Sequence, residues 1–124
     1  KLSPVEKLEA CIEFDFGSKV CTREKLAVWF SFWGESKARP AYQKICSGHD
    51  QLADGTLRRI LQDIIKEGGY VSRNADQIVH TYTAMVTGLS LDLLVTPKTM
   101  DRNLAKQVCH HYFETVFPGH FDSD

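Results

Sequence analysis

The sequence predicts an all-α domain, a helical bundle of about five helices, and two observations lead to this prediction. Apolar residues recur at the three- and four-residue spacing of a helix face, and no segment shows the alternation of a strand. The four prolines stand between the apolar repeats and interrupt none of them: Pro4, Pro40, Pro97 and Pro118. A chain of 124 residues is long enough for one domain, which we expect to occupy residues 1–124.

The first predicted helix follows Ser3 and continues to Gly17. Ser3, Pro4 and Glu6 form the signature of a capping box with proline at the first helical position. The apolar residues behind this signature fall on one helical face: Val5, Leu8, Ile12 and Phe16.

Four further helices are expected, each bounded by proline, glycine or a capping residue. The second runs from about Thr22 to Lys37, the third from Pro40 to about Lys66, the fourth from Ser72 or Asn74 to Val95, and the fifth from about Thr99 to Phe117.

Composition and charge argue against several classes of protein. The net charge is −1, and the longest basic run is Arg58-Arg59, whereas a DNA-binding domain usually carries a basic stripe. No apolar run was found near the roughly 20 residues of a membrane span, and the N-terminus lacks a signal-peptide pattern. We therefore expect a cytoplasmic chain that binds neither DNA nor membrane by itself.

The four cysteines show no metal-ligand spacing. No C-x-x-C pair occurs, and each cysteine lies in or beside an apolar helical stretch: Cys11, Cys21, Cys46 and Cys109. We expect free thiols, and neither a metal nor another cofactor.

A cluster of aromatic residues occupies the second predicted helix. Trp29, Phe30, Phe32 and Trp33 fall within five positions, and Trp29 and Trp33 share a helix face because they are four residues apart. The cluster can be core packing, or it can form the wall of a ligand cavity. The sequence leaves both interpretations open.

The fourth and fifth helices carry more apolar surface than one core requires. One side of the fourth helix has heptad spacing with small residues at its centre, which allows a second helix to approach closely. The fifth helix is apolar around more than half of its circumference, which indicates two neighbours. We therefore predict a homodimer interface that includes Thr81, Ala84, Gly88, Leu91, Val95, Val108 and Tyr112.

Several of these segments together resemble one protein family. Trp29-x-x-Phe32-Trp33 followed by Pro40, with Ser3-Pro4 upstream and "AMVTGLSL" from residue 84 to 91, is similar to the ligand-sensing domain of TetR-type transcriptional repressors. The nearest subgroup is that of the choline-responsive betaine regulator, BetI. The chain departs from the family pattern at Thr87, where an acidic residue is usual, and at Ser90, where tryptophan is usual.

The resemblance implies a sensor domain whose operator DNA is bound by an N-terminal helix-turn-helix domain absent from this chain. It implies a homodimer, and a cavity for a small-molecule effector such as choline, another quaternary ammonium compound or an apolar ligand. A cation is stabilised over aromatic rings, and Asp50 would supply the counter-charge. The predicted ligand-binding residues are Trp29, Phe32, Trp33, Tyr42, His49, Asp50, Tyr82 and Met85.

One alternative is a small helical enzyme or a metal-binding bundle. His110 and Glu114 are four residues apart, and His111 and His80 could add further ligands. The sequence contains no recognisable catalytic set or phosphate-binding loop, so we predict that the chain is not an enzyme.

Overall fold

The computed structural model describes residues 1–38 and 55–119, and it confirms the all-α prediction. Every regular element within these two ranges is a helix. The helices are α1 (Pro4–Asp15), α2 (Arg23–Ala38), α3 (residues 55–68 in the described part), α4 (Ala75–Val95) and α5 (Arg102–Val116). The predicted beginning of the third helix at Pro40 lies outside the described residues.

Capping side chains set the first residues of α1 and α4. Ser3 Oγ accepts from the Glu6 backbone N–H at 3.1 Å, and Glu6 Oε1 accepts from the Ser3 N–H at 2.9 Å, which confirms the capping box. At α4, Asn74 rather than Ser72 is the N-cap, because Asn74 Oδ1 accepts from the Gln77 N–H at 3.1 Å.

Helix α5 begins later than the sequence predicted. The predicted start at about Thr99 was wrong by three residues, because the Thr99 N–H bonds to the Thr96 carbonyl in a turn at 3.1 Å. Asp101 is the N-cap, and its carboxylate accepts from the Leu104 N–H at 2.8 Å. The predicted end was nearly right, since Phe117 is the C-cap.

The core is formed by one face of each helix. Its largest fully buried side chains are Phe16, Phe113, Phe117, Leu8, Ile12, Leu61, Ile64 and Cys109. An aromatic contact joins α4 to α5, with the Tyr82 and Phe113 ring centroids 5.3 Å apart. At the end of α5, the Phe113 and Phe117 rings are nearly parallel with centroids 6.4 Å apart. Such pairs add roughly 0.5–1.5 kcal/mol each beyond the burial of apolar area.

The turn between α3 and α4 is fastened to the end of α5. Gly69 has a φ of 69°, a left-handed conformation that favours glycine. The Tyr70 hydroxyl donates to the Pro118 carbonyl at 2.7 Å, and Arg73 Nε donates to the Val116 carbonyl at 2.7 Å. These bonds satisfy carbonyl groups at the C-terminal end of α5.

Three cysteines lie among the described residues, and all are free thiols: Cys11, Cys21 and Cys109. Burial raises the pKa of Cys109 to about 12 and also raises the pKa of Cys11 and Cys21. A raised pKa leaves little thiolate at neutral pH, so these cysteines act as small apolar side chains. Cys46 lies outside the described residues.

Helix α4 is apolar on both its inner and outer sides. Its inner face is buried against the core through Ile78, Val79, Tyr82 and Leu93. By length and composition alone, α4 could cross a membrane. The search of the sequence for apolar runs did not identify this segment. A core helix of a soluble protein passes the same test, and α4 packs against both α2 and α5.

Candidate functional site

A groove of about 470 Å³ opens between the turn after α1, helix α2 and helix α4. This volume lies in the range of small-molecule sites, which is roughly 300–1,000 Å³. The residues that line the groove are Phe14 and Asp15 of α1, Lys19 and Val20 of the turn, Lys25, Leu26, Trp29 and Phe30 of α2, and Val86, Thr87 and Ser90 of α4.

The aromatic wall of the groove comes from α2. Trp29 lines the groove and is 44% exposed, and the neighbouring Phe30 is half-buried. The Trp29 ring lies 6.3 Å from the Phe32 ring and 6.3 Å from the Trp33 ring, so the cluster is continuous along the helix. Phe32 and Trp33 are not among the groove residues, so the cluster reaches the groove through Trp29 and Phe30.

Asp15, the last residue of α1, adds a carboxylate to the lining of the groove. Asp15 is partly buried, and its Oδ2 accepts a hydrogen bond of 2.7 Å from the Tyr82 hydroxyl. Burial raises the pKa of the Asp15 carboxyl, while the Tyr82 hydrogen bond acts in the opposite direction. No ion pair formed by described residues includes Asp15; those pairs join Arg58 to Asp76 and Lys106 to Glu13.

The position of Asp15 within α1 is electrostatically unfavourable. It is the last residue of the helix, and no basic residue occupies the last turn. The C-terminal end of a helix carries partial negative charge, and an anion there costs about 0.3–1 kcal/mol. Asp15 and the end of α1 together form a negative site that favours a cation.

Two lysines bring positive charge to the same groove. Lys19 lies in the turn and Lys25 in the first turn of α2, and both are exposed. Lys25 Nζ donates a hydrogen bond to the Lys19 carbonyl. The groove therefore contains one carboxylate, two ammonium groups and an aromatic wall.

The other predicted ligand-binding residues lie in different places. Tyr82 is only 3% exposed and does not line the groove, although its hydroxyl reaches Asp15. Met85 is half-buried and packs against the core. Tyr42, His49 and Asp50 lie outside the described residues, and their role as ligand contacts stays a prediction.

Sequence reasoning missed Asp15, although a signal for it was present. An acidic residue between Phe14 and Phe16 closes an amphipathic helix at the end where its charge is unfavourable. Lys19 and Val20 carried no comparable signal, because a short turn has no periodicity.

Most of the predicted dimer residues are exposed on α4 and α5, and we call the predicted set the exposed strip. Thr81, Ala84 and Gly88 are exposed, as are Leu91 at 42% and Val95 at 61%. On α5, Val108 is 37% exposed and Tyr112 is half-buried. This strip is available to a second chain, and dimerisation stays a prediction.

The structure adds nothing to the metal-binding alternative. Across residues 1–38 and 55–119 no three potential metal ligands of the His, Cys, Asp and Glu types come together. His111 is exposed on α5, His110 and Glu114 are half-buried, and His80 lines another groove beside Arg58 and Asp76.

Comparisons with known proteins agree with the fold. They place the chain among the C-terminal domains of transcriptional regulators. The family described as BetI-type transcriptional repressor, C-terminal, matches residues 4–118, and the chain belongs to this family.

The chain is similar to the HTH-type transcriptional regulator BetI 2 of Chromohalobacter salexigens, with 27% identity over 114 residues, 92% of this chain and 53% of that protein. It is 21% identical to BetI of Escherichia coli over 118 residues, 94% of this chain and 57% of that protein. The chain thus spans about half the length of the curated relatives it matches.

A solved structure shares the fold. The crystal structure of a protein described as a transcriptional regulator from Pseudomonas aeruginosa PAO1 superimposes with a TM-score of 0.87. The match covers 96% of this chain and 57% of that chain at 21% identity.

Proposed function

We propose that this chain is the effector-binding and dimerisation domain of a BetI-like transcriptional repressor. Effector binding would control operator binding by a helix-turn-helix domain that is not part of this sequence. The relatives support this division, because they are named HTH-type regulators and about half of their length lies outside the match. The chain itself would be cytoplasmic and not an enzyme.

The observation that carries the proposal is the groove beside Trp29. A partly exposed tryptophan ring, a half-buried phenylalanine and a partly buried carboxylate meet in one cavity of about 470 Å³. A desolvated cation over an aromatic face gains about 2 kcal/mol or more. Asp15 supplies the counter-charge, which makes small quaternary ammonium compounds the first effectors to test.

The dimerisation half of the proposal rests on the exposed strip of α4 and α5. The small residues Ala84 and Gly88 of α4 are exposed, and so are Leu91 of α4 and Val108 of α5. A Cβ atom added at Gly88 would meet no atom of the described residues within 4 Å, so they leave the backbone there open to a neighbour. A two-fold dimer would bury the same strip on both chains as a four-helix interface.

Two measurements on the wild-type chain test the proposal. Choline, other quaternary ammonium compounds and small apolar compounds are titrated while tryptophan fluorescence is followed, and saturable binding is expected. If the aromatic cluster only packs the core, none of these compounds should change the tryptophan fluorescence. That result would refute the effector site. Sedimentation equilibrium tests the dimer, and a monomer at micromolar concentrations would refute it.

A further inference from the structure

We propose that Tyr82 couples the groove to the exposed strip, so that a change at Asp15 alters the position of Tyr112 and the association of two chains. The inference rests on the proposed function, because it takes the exposed strip to be the dimer interface. It adds the side chains through which one surface acts on the other.

The first contact joins the groove to the core. Asp15 lines the groove, and its Oδ2 accepts a hydrogen bond of 2.7 Å from the Tyr82 hydroxyl. Tyr82 is only 3% exposed, and among the described residues Asp15 is the acceptor of its hydroxyl. A buried hydroxyl without an acceptor costs about 1–3 kcal/mol. We therefore expect the Tyr82 side chain to follow the Asp15 carboxylate when the carboxylate moves.

Two ring contacts continue from Tyr82 to the exposed strip. The Tyr82 and Phe113 ring centroids are 5.3 Å apart, and those of Phe113 and Tyr112 are 5.1 Å apart. Phe113 is fully buried, whereas Tyr112 is half-buried and belongs to the exposed strip. Because a protein interior is close-packed, a displaced core ring moves its neighbours instead of entering a void. A displacement of Tyr82 therefore reaches Tyr112 through Phe113.

A second carboxylate of α1 also contacts α5, but at the surface. Glu13 Oε1 pairs with Lys106 Nζ at 2.9 Å, and the Glu13 side chain is 60% exposed. An exposed ion pair contributes little, because water replaces either partner readily. Glu13 and Asp15 thus offer a matched comparison between a surface contact with α5 and a contact that passes through the core.

Sedimentation equilibrium of the wild-type chain and its variants measures the coupling without any ligand. Asp15→Asn replaces a charged acceptor of the Tyr82 hydroxyl by a neutral one, which forms a weaker hydrogen bond. The looser Tyr82 ring should raise the dissociation constant of the dimer by about threefold or more. Tyr82→Phe, which lacks the hydroxyl, should raise this constant as well.

The double variant assigns the effect to the hydrogen bond. Adding Asp15→Asn to Tyr82→Phe should cause no further rise, because the two substitutions remove the same contact. Glu13→Gln is the matched control and should leave the dissociation constant unchanged. Circular dichroism at the concentrations used for sedimentation shows that each variant is folded.

The possible outcomes separate this inference from the proposed function. An unchanged dissociation constant in Asp15→Asn would overturn the coupling, and so would an effect of Asp15→Asn that persists in full in the Tyr82→Phe background. An equal rise for Glu13→Gln would assign the effect to the charge of α1 and would also overturn it. If Gly88→Leu weakens association in the same experiments, each of these results leaves the dimer interface intact. A wild-type chain that stays monomeric would refute the dimer and the coupling together.

Discussion

The Tyr82 hydroxyl donates a 2.7 Å hydrogen bond to Asp15 Oδ2, and this bond links the wall of the groove to the core. Tyr82 is buried in α4 and its ring contacts Phe113 of α5 at 5.3 Å between centroids. Burial beside Asp15 raises the pKa of the Tyr82 hydroxyl, so Tyr82 remains a proton donor at all ordinary pH values.

Removal of this hydroxyl should destabilise the chain. Tyr82→Phe keeps the ring contact with Phe113 but leaves the partly buried Asp15 carboxylate without its donor. The expected loss is about 1–3 kcal/mol in the free energy of unfolding, measured by urea denaturation. Tyr112→Phe, at a half-buried tyrosine on α5, is the matched control and should cost less. Equal losses for the two variants would contradict the structural role of the bond.

The raised pKa of Asp15 predicts a pH-dependent effect of Asp15→Asn. In the folded chain the pKa of Asp15 is raised above its ordinary value of 3.8. Between that value and the raised pKa, the native state therefore binds more protons than the unfolded state. This difference lowers the free energy of unfolding as pH rises through that interval. The amide oxygen of Asp15→Asn can still accept from Tyr82. Relative to wild type, this variant should therefore be more stable at pH 7 than near pH 3.

Urea denaturation of wild type and Asp15→Asn across this pH range measures the effect. Glu13→Gln is a control on the same helix, at a carboxylate that is paired with Lys106 instead of lining the groove. The idea fails if the stability difference between Asp15→Asn and wild type is the same at every pH.

The two tryptophans should report differently on ligand binding. Trp29 lines the groove and Trp33 does not, and they are the only tryptophans in the chain. Trp33→Phe should keep most of the fluorescence change on binding, while Trp29→Phe should lose it and bind more weakly. A larger loss of signal in Trp33→Phe would place the ligand elsewhere along α2.

Gly88→Leu should weaken dimerisation and leave the protomer folded. Among the described residues the space at Gly88 is open, so we expect the added side chain to be disfavoured where a helix of the second chain approaches. Gly34→Leu is the matched control, because Gly34 is also exposed in a helix and equally open. Sedimentation equilibrium should show a dissociation constant raised about tenfold or more for Gly88→Leu alone, an effect of about 1.4 kcal/mol. An unchanged constant would exclude this strip from the interface.

Sequence-specific DNA binding should be absent from this chain by itself. The net charge is −1, and phosphate contacts by lysine and arginine dominate the affinity of DNA-binding proteins. Electrophoretic mobility shifts with the upstream DNA of the native gene, at physiological salt, check this. A specific complex formed by residues 1–124 would contradict the division of function that we propose.

The features predicted correctly from the sequence depend on neighbours in the chain. The capping box at Ser3 and Glu6 and the buried face of Leu8 and Ile12 follow from spacings of three and four residues. The start of α5 was misplaced because Thr99 and Asp101 are both good capping residues, and only the turn at Thr96 decides between them.

The groove depends on contacts that are distant in sequence. The partner of Asp15 is Tyr82, 67 residues away, so no local pattern announces the bond. The aromatic cluster was recognised, but which ring faces the groove depends on how α2 is rotated against α4. Periodicity could not give this rotation, because apolar residues surround α2 from Val28 to Trp33.

The groove and the exposed strip share the same two turns of α4. Val86, Thr87 and Ser90 line the groove, while Gly88 and Leu91 belong to the exposed strip. A shift of α4 as a rigid rod therefore alters both surfaces at once. If a ligand changes the association constant of the two chains by some factor, association must change the affinity for that ligand by the same factor. The affinity for the ligand would then depend on the protein concentration, just as association would depend on the ligand concentration.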